Sequence, residues 1–282
     1  DHNGSRGLGD VYKRQPFGGT SLANGRHPVK MNEPLPEGNV PDEVVYLILG
    51  TLQFSEELLR TYAHPDLLKV AEAINGEDFV PFTEALFIKE PGIGASVAWH
   101  RDGTTHWDSP DFDEGTHGFN FMAQLYGCTS ANGVWVVPGS HKKRYVDIAD
   151  MVTRAGSERI EEAIPMICNP GDVVISNRQA VHGSFANTSS DWRITINQGF
   201  HRRKSVLGVK GGGLHGKPAV YDAERIIERS KVIKLAIEAR KQRFPDEQAF
   251  EYKPLSASTE DFTWNAAARK RLHDYNLLDL SI

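Results

Sequence analysis

The stretch PGDVVISNRQAVHGSFANTSSDWRITINQGFH (residues 170–201) decides the fold class. Its apolar run Val173–Ile175 and its alternating run Arg193–Asn197 are too short for helices and rich in β-branched residues. Turn formers stand around them: Pro170-Gly171-Asp172, Asn177-Arg178 and the polar segment 187–191. The same texture runs from residue 80 to 200, through FTEALFIKEPG (82–92), SVAWHRD (96–102), GFNFMAQLYGC (118–128), GVWVVPGSH (133–141) and AIPMICNPGDVVIS (163–176). Many short strands separated by turn signals predict a mainly β core, a sandwich or a barrel of jelly-roll type.

Helices are expected on both flanks. The segment DEVVYLILGTLQFSEELLRTYAHPDLLKVAEAINGEDF (42–79) has helical spacing. Within it Ser55 with Glu56 and Glu57 marks a helix start, Pro65 opens a second helix, and Asn75-Gly76 ends it in a left-handed stop. A polar helical insertion is expected over 142–162. Ile226, Ile227, Ile233, Leu235 and Ile237 predict a helix over 223–244. A last helix is expected over 259–278, with Thr259 as N-cap and Glu260 and Asp261 in its first turn. GVKGGG (208–213) lacks the Lys-Ser/Thr pair of a phosphate loop and reads as a lid or connector. The expected organisation is one domain over 16–282, with a helical part at 42–79, a β core at about 80–203 and a helical extension at 221–282. Residues 1–15 are expected to be foreign, since DVYKRQ (10–15) back-translates to GATGTGTATAAGAGACAG, a string that resembles a transposon-end sequencing adapter.

The chain of 282 residues is 39% hydrophobic and 24% charged, as in ordinary globular proteins. A net charge of −5 argues against nucleic acid or an anionic membrane surface as partner. No apolar run reaches the roughly 18 residues of a membrane span. Two cysteines, Cys128 and Cys168, cannot build a disulfide framework and read as free thiols, in keeping with a cytoplasmic protein.

The chemistry is concentrated in few residues. In VAWHRDGTTHW (97–107), His100 and Asp102 stand two apart at a strand end, where i and i+2 face the same way. His182 offers a third donor. Two imidazoles and one carboxylate occupy one face of an octahedral metal and leave three positions open, the pattern of non-heme Fe(II) oxygenases. Arg193 follows His182 by 11 positions and shares a strand face with Thr195 and Asn197. An inward arginine in a barrel needs an anion, and its fork fits a carboxylate. Asn120, Met122, Gln124 and Tyr126 form one face of another strand, placing two amides where they can hydrogen-bond a co-substrate. Trp107 and His106, on the loop after the His-x-Asp pair, are candidates for the substrate pocket. His117 and His141 are further donors, and His141 is expected to serve a structural hydrogen bond.

Taken together, WHRDG (99–103), NGVWVVPGSH (132–141), PGDVVISNRQAVHGSFANTS (170–189) and WRITINQGFHRR (192–203) resemble the phytanoyl-CoA dioxygenase family of Fe(II)/2-oxoglutarate oxygenases, over about residues 40–205. The resemblance implies a cupin-like double-stranded β-helix. It implies iron bound by His100, Asp102 and His182, 2-oxoglutarate anchored by Arg193 with help from Ser184 and Thr195, and O2 as oxidant. Halogenating relatives lack the carboxylate; Asp102 therefore favours hydroxylation of a small metabolite or acyl derivative, with release of succinate and CO2. The expected molecule is a monomer or homodimer. Two alternatives stay open at this point: another metal enzyme on the same barrel, such as a zinc hydrolase, and a small-molecule-binding relative without turnover.

Overall fold

A computed structural model of the chain describes residues 12–16, 43–102, 112–212 and 218–272. In chain order its elements are β1 (Tyr12–Pro16), β2 (Glu43–Leu49), α1 (Glu56–Tyr62), α2 (Pro65–Asn75), β3 (Val80–Lys89), β4 (Val97–His100) and β5 (Gly118–Gln124). Then follow β6 (Trp135–Val136), α3 (Ile148–Ala155), β7 (Ile164–Pro165), β8 (Val173–Asn177), β9 (His182–Ser184) and β10 (Arg193–His201). The chain continues through α4 (Arg203–Val206), β11 (Lys210–Gly212), β12 (Pro218–Val220), α5 (Ala223–Arg243) and α6 (Ala266–Arg271).

Two antiparallel sheets make the core. One has the order β1-β2-β3-β10-β5-β8 and the other β4-β9-β6-β7. From β3 to β10 the chain passes back and forth between them, which is the winding of a jelly roll. Strand β10 is central, paired with β3 from Arg193↔Lys89 to His201↔Val80 and with β5 from Thr195↔Gln124 to His201↔Gly118. Its outward residue Phe200 is fully buried among Tyr62, Phe79 and Phe119, under the helices α1, α2 and α5. The outer face of the smaller sheet is closed by Trp99, Phe185, Val137 and Ile148 of α3. Both sheets thus have an apolar back, and polar residues are left to the space between them.

Several expected helix signals hold. The Ser55 hydroxyl accepts from the Leu58 N–H, Pro65 is the first residue of α2, and α5 begins after Asp222, whose carboxylate accepts from Arg225 N–H. Gly76 does end α2 with φ 95°, though with an extended ψ of 165° rather than a left-handed helical one. Helix α3 lies within the insertion expected at 142–162.

Other expectations are corrected. Residues 43–49 are strand, not helix: Leu47–Leu49 pair with Phe87–Ala85 of β3. An apolar run of six, Val44–Leu49, suits either element, and the open edge of β3 decides it. Thr259 is not a cap; Asn265 caps α6 by accepting from the N–H groups of Ala267 and Ala268. Lys210–Gly212, within the stretch expected as a lid or connector, pair antiparallel with Pro218–Val220. Tyr126 lies beyond the end of β5 and is 57% exposed, so it leaves the face shared by Asn120, Met122 and Gln124. The foreign segment expected at 1–15 falls outside the described residues up to Val11; Tyr12–Pro16 pair with β2.

Candidate metal centre

His100 closes β4 and His182 opens β9, and the antiparallel register sets them directly opposite one another. Their rings lie 4.2 Å apart, centroid to centroid. Asp102 follows in the bend after β4, held there by its N–H donating to the Arg178 carbonyl at 3.0 Å. Its carboxylate sits against both rings, with Oδ1 3.3 Å from His100 Nε2 and Oδ2 3.8 Å from His182 Nε2. The three donor atoms all lie within 4.8 Å of one another, and this is the one such His/Cys/Asp/Glu group among the described residues.

The hydrogen bonds behind the rings fix what the rings present. His100 Nδ1 is 2.7 Å from the Ala98 carbonyl and His182 Nδ1 is 2.9 Å from the Ala180 carbonyl. A carbonyl only accepts, so each Nδ1 carries a proton and each ring turns its Nε2 toward Asp102. Burial, with His100 beside it, lowers the His182 pKa to about 4, which keeps the ring neutral near pH 7. Two ring nitrogens and a carboxylate then converge. A divalent cation accepting both nitrogen and oxygen donors fits that space, and the carbonyl partners are the outer support that metal-bound imidazoles need.

Asp102 is itself held on several sides. Burial alone would raise its pKa, but His182, the hydrogen bond with His100 and the Arg178 guanidinium outweigh it and hold the carboxyl well below the usual range. Arg178 Nε lies 3.6 Å from Asp102 Oδ2. Its guanidinium stacks 3.6 Å over the Phe82 ring and contacts His201 Nε2. Asn120 Nδ2 donates to Asp102 Oδ2 at 2.8 Å. Asn120 thus holds the carboxylate from one side.

The inner face of β5 leads from this centre to the arginine. Two residues beyond Asn120 is Met122 and four beyond is Gln124, whose Oε1 accepts from Thr195 Oγ1 at 2.7 Å. Thr195 shares its face of β10 with Arg193. Arg193 is 3% exposed, and its Nε finds no partner among the described residues. Burial lowers its pKa to about 10, partly offset by the neighbouring Cys128 and Cys168. These two cysteines are free thiols facing each other in an isolated bridge. Ser184, two residues along β9 from His182, is buried on the same side.

The structure therefore brings together His100, Asp102, His182 and Asn120, and lines Gln124, Thr195 and Arg193 along one interior face. His117 stands apart: its Nε2 meets Asp113 Oδ1 at 2.9 Å and its Nδ1 the Ser205 hydroxyl at 2.6 Å. His141 is likewise outside the donor group. Trp107 and His106 lie outside the described residues. Two residues escaped the sequence reading. Arg178 reads there as part of a turn, and only its place four residues before His182 hints at more. Lys89 reads as the polar end of a strand, yet it is 2% exposed and its Nζ donates to the Phe185 carbonyl.

The family model for phytanoyl-CoA dioxygenase (PhyH) matches residues 44–195. The chain belongs to the phytanoyl-CoA dioxygenase family. The matched span holds the whole smaller sheet, most of the larger one, and His100, Asp102, Asn120, Gln124, Arg178, His182, Ser184, Arg193 and Thr195. Within the curated proteins, the family member phytanoyl-CoA dioxygenase 1 of Oryza sativa subsp. japonica is 31% identical over 109 residues, which is 36% of this chain and 37% of that protein. Dioxygenase cdmD of Talaromyces verruculosus is 32% identical over 165 residues, 56% of this chain and 50% of that protein. The chain thus spans half or less of the length of these relatives. Among solved structures, AviO1 from Streptomyces viridochromogenes Tue57 is similar, with 26% identity, a TM-score of 0.45, and coverage of 64% of this chain and 75% of that one.

Proposed function

We propose that this chain is the core of an Fe(II)- and 2-oxoglutarate-dependent dioxygenase that hydroxylates an aliphatic C–H bond of a small metabolite or acyl derivative, releasing succinate and CO2. One observation carries the reading: a His-Asp-His donor set shares an interior with a buried guanidinium that has no counter-ion among the described residues. Zinc-dependent hydrolysis does not by itself require such an arginine, whereas a dicarboxylic co-substrate pairs with it. Family membership and dioxygenase-named relatives support the same class.

Bound ferrous iron and 2-oxoglutarate together supply O2 activation and oxidative decarboxylation. The protein's part is geometry and charge. His100 and His182 offer their Nε2 atoms, and Asp102 adds one negative charge. Three ligands on one face leave room for a chelating 2-oxo acid and O2. Arg193 receives the far carboxylate through its fork, with Thr195 and Ser184 beside it. Asn120 and Arg178 occupy the outer side of Asp102, so the carboxylate cannot swing away. Trp99 and Phe185 form a dry layer behind the imidazole strands. The presence of Asp102 favours hydroxylation over halogenation. The free thiols support a reducing, cytoplasmic setting, and we propose action as a monomer or homodimer.

The test is a screen of purified protein with Fe(II), 2-oxoglutarate, O2 and metabolite mixtures. Succinate release, with products heavier by one oxygen, is the expected result. A protein that retains zinc, hydrolyses its substrate and ignores 2-oxoglutarate refutes the reading.

A further inference from the structure

We propose that Lys89 is a second cation of the co-substrate anchor, forming with Arg193 a two-cation seat for the distal carboxylate of 2-oxoglutarate. This rests on the function proposed above and adds to it a residue that the sequence reading passed over.

Lys89 and Arg193 are direct cross-strand partners in the β3–β10 ladder, so their side chains leave the sheet on the same face. Both are all but fully buried, at 2% and 3% exposure. Like charges directly opposite each other in a sheet destabilise it, and more so where water is excluded. Burial and the charge of Arg193 push the Lys89 pKa well below the usual lysine value. Among the described residues, no carboxylate answers either cation. Lys89 Nζ has the Phe185 carbonyl, and Arg193 has two thiols in its neighbourhood.

A purely structural role does not call for a lysine here. Asn187 already ties these segments together, its amide donating to the carbonyls of Lys89 at 3.2 Å, Glu90 at 3.1 Å and Asp191 at 2.8 Å. The following turn is folded so tightly that a Cβ on Gly94 would lie 2.6 Å from Lys89 Cα. The stem of Lys89 is therefore aimed by backbone, and a neutral side chain of similar length would fill the same space. Two aimed, desolvated cations with no anion among the described residues are accounted for by an anion that arrives with the ligand. A carboxylate placed there satisfies the Arg193 fork and takes a further charge-assisted hydrogen bond from the ammonium.

The experiment is calorimetric binding with Mn(II) in place of iron, comparing 2-oxoglutarate with 2-oxobutanoate, which chelates alike but has no distal carboxylate. The wild type is expected to prefer 2-oxoglutarate strongly. Lys89→Met should weaken 2-oxoglutarate roughly tenfold or more while leaving 2-oxobutanoate unchanged. Lys89→Gln keeps a donor for Phe185 without the charge and should show the same selective loss; it also carries the test if the Met variant does not fold. The proposal is overturned if Gln restores wild-type binding, or if either variant weakens both acids equally or neither. If the wild type itself does not distinguish the acids, the co-substrate reading falls, and this proposal with it. If it does distinguish them and the variants match it, only the part given to Lys89 is lost.

Discussion

Gly183 lies between His182 and Ser184, where β9 runs closest to β4. An alanine methyl there would sit 3.1 Å from the Val97 carbonyl oxygen and 3.2 Å from both the backbone N and Cε3 of Trp99. Gly183 is not among the positive-φ glycines, so the cost of Gly183→Ala is steric rather than conformational. None of the three neighbours yields easily. Two are backbone atoms of the paired strand, and the indole is fully buried with its N–H donating to the Glu158 carbonyl at 2.7 Å. Relief requires β9 to lift from β4 by a few tenths of an ångström. Overpacking of this kind costs about 1–3 kcal/mol, or roughly 2–4 °C of melting temperature per kcal/mol in a chain of this size. The same two strands carry the His100–His182 pair, and metal distances tolerate only about 0.2 Å. Mn(II) affinity should therefore fall by about tenfold, equivalent to ~1.4 kcal/mol. Calorimetric titration with Mn(II), beside thermal melts of the metal-free protein, reads both effects. A variant that melts lower but binds Mn(II) as the wild type does would refute the claim that strand spacing sets the donor pair.

Asn120→Ala removes the 2.8 Å hydrogen bond to Asp102 Oδ2 and should weaken metal binding about 10–100-fold, with melting behaviour close to wild type; metal titration checks it. Phe200→Ala empties the centre of the cluster with Tyr62, Phe79 and Phe119 and should cost about 3–5 kcal/mol in denaturant unfolding, with m-value unchanged. Acid should destabilise the metal-free protein through His182. Its native pKa of about 4 lies below the ordinary 6.5, so the unfolded chain binds the extra proton as pH falls. Stability is full above about pH 6.5 and declines by up to ~1.4 kcal/mol per unit toward pH 4. Denaturant melts at pH 7.5 and 5 should differ less in His182→Gln than in the wild type; an equal difference in both would rule His182 out as the cause.

Much of this was readable along the chain because it depends on near neighbours. Turn formers between β-branched runs announce the strands, Ser55 and Pro65 announce their helices, and strand alternation puts Arg193 on one face with Thr195 and Asn197. The spacing of His100 and Asp102 is likewise a local signal. What the chain could not declare by itself is anything that depends on which strand lies beside which. Glu43–Leu49 became strand because β3 offered it an edge. Asn120 of β5 meets Asp102 of the bend after β4 across 18 residues of chain. His182 came to face His100, and Lys89 to face Arg193, through registers joining segments 82 and 104 residues apart in the chain. Register is the choice a strand makes against its partner, and a slip of one residue would turn each of these side chains to the opposite face. The residue types capable of the chemistry are thus written in the sequence, while the cross-strand pairing alone decides which of them meet.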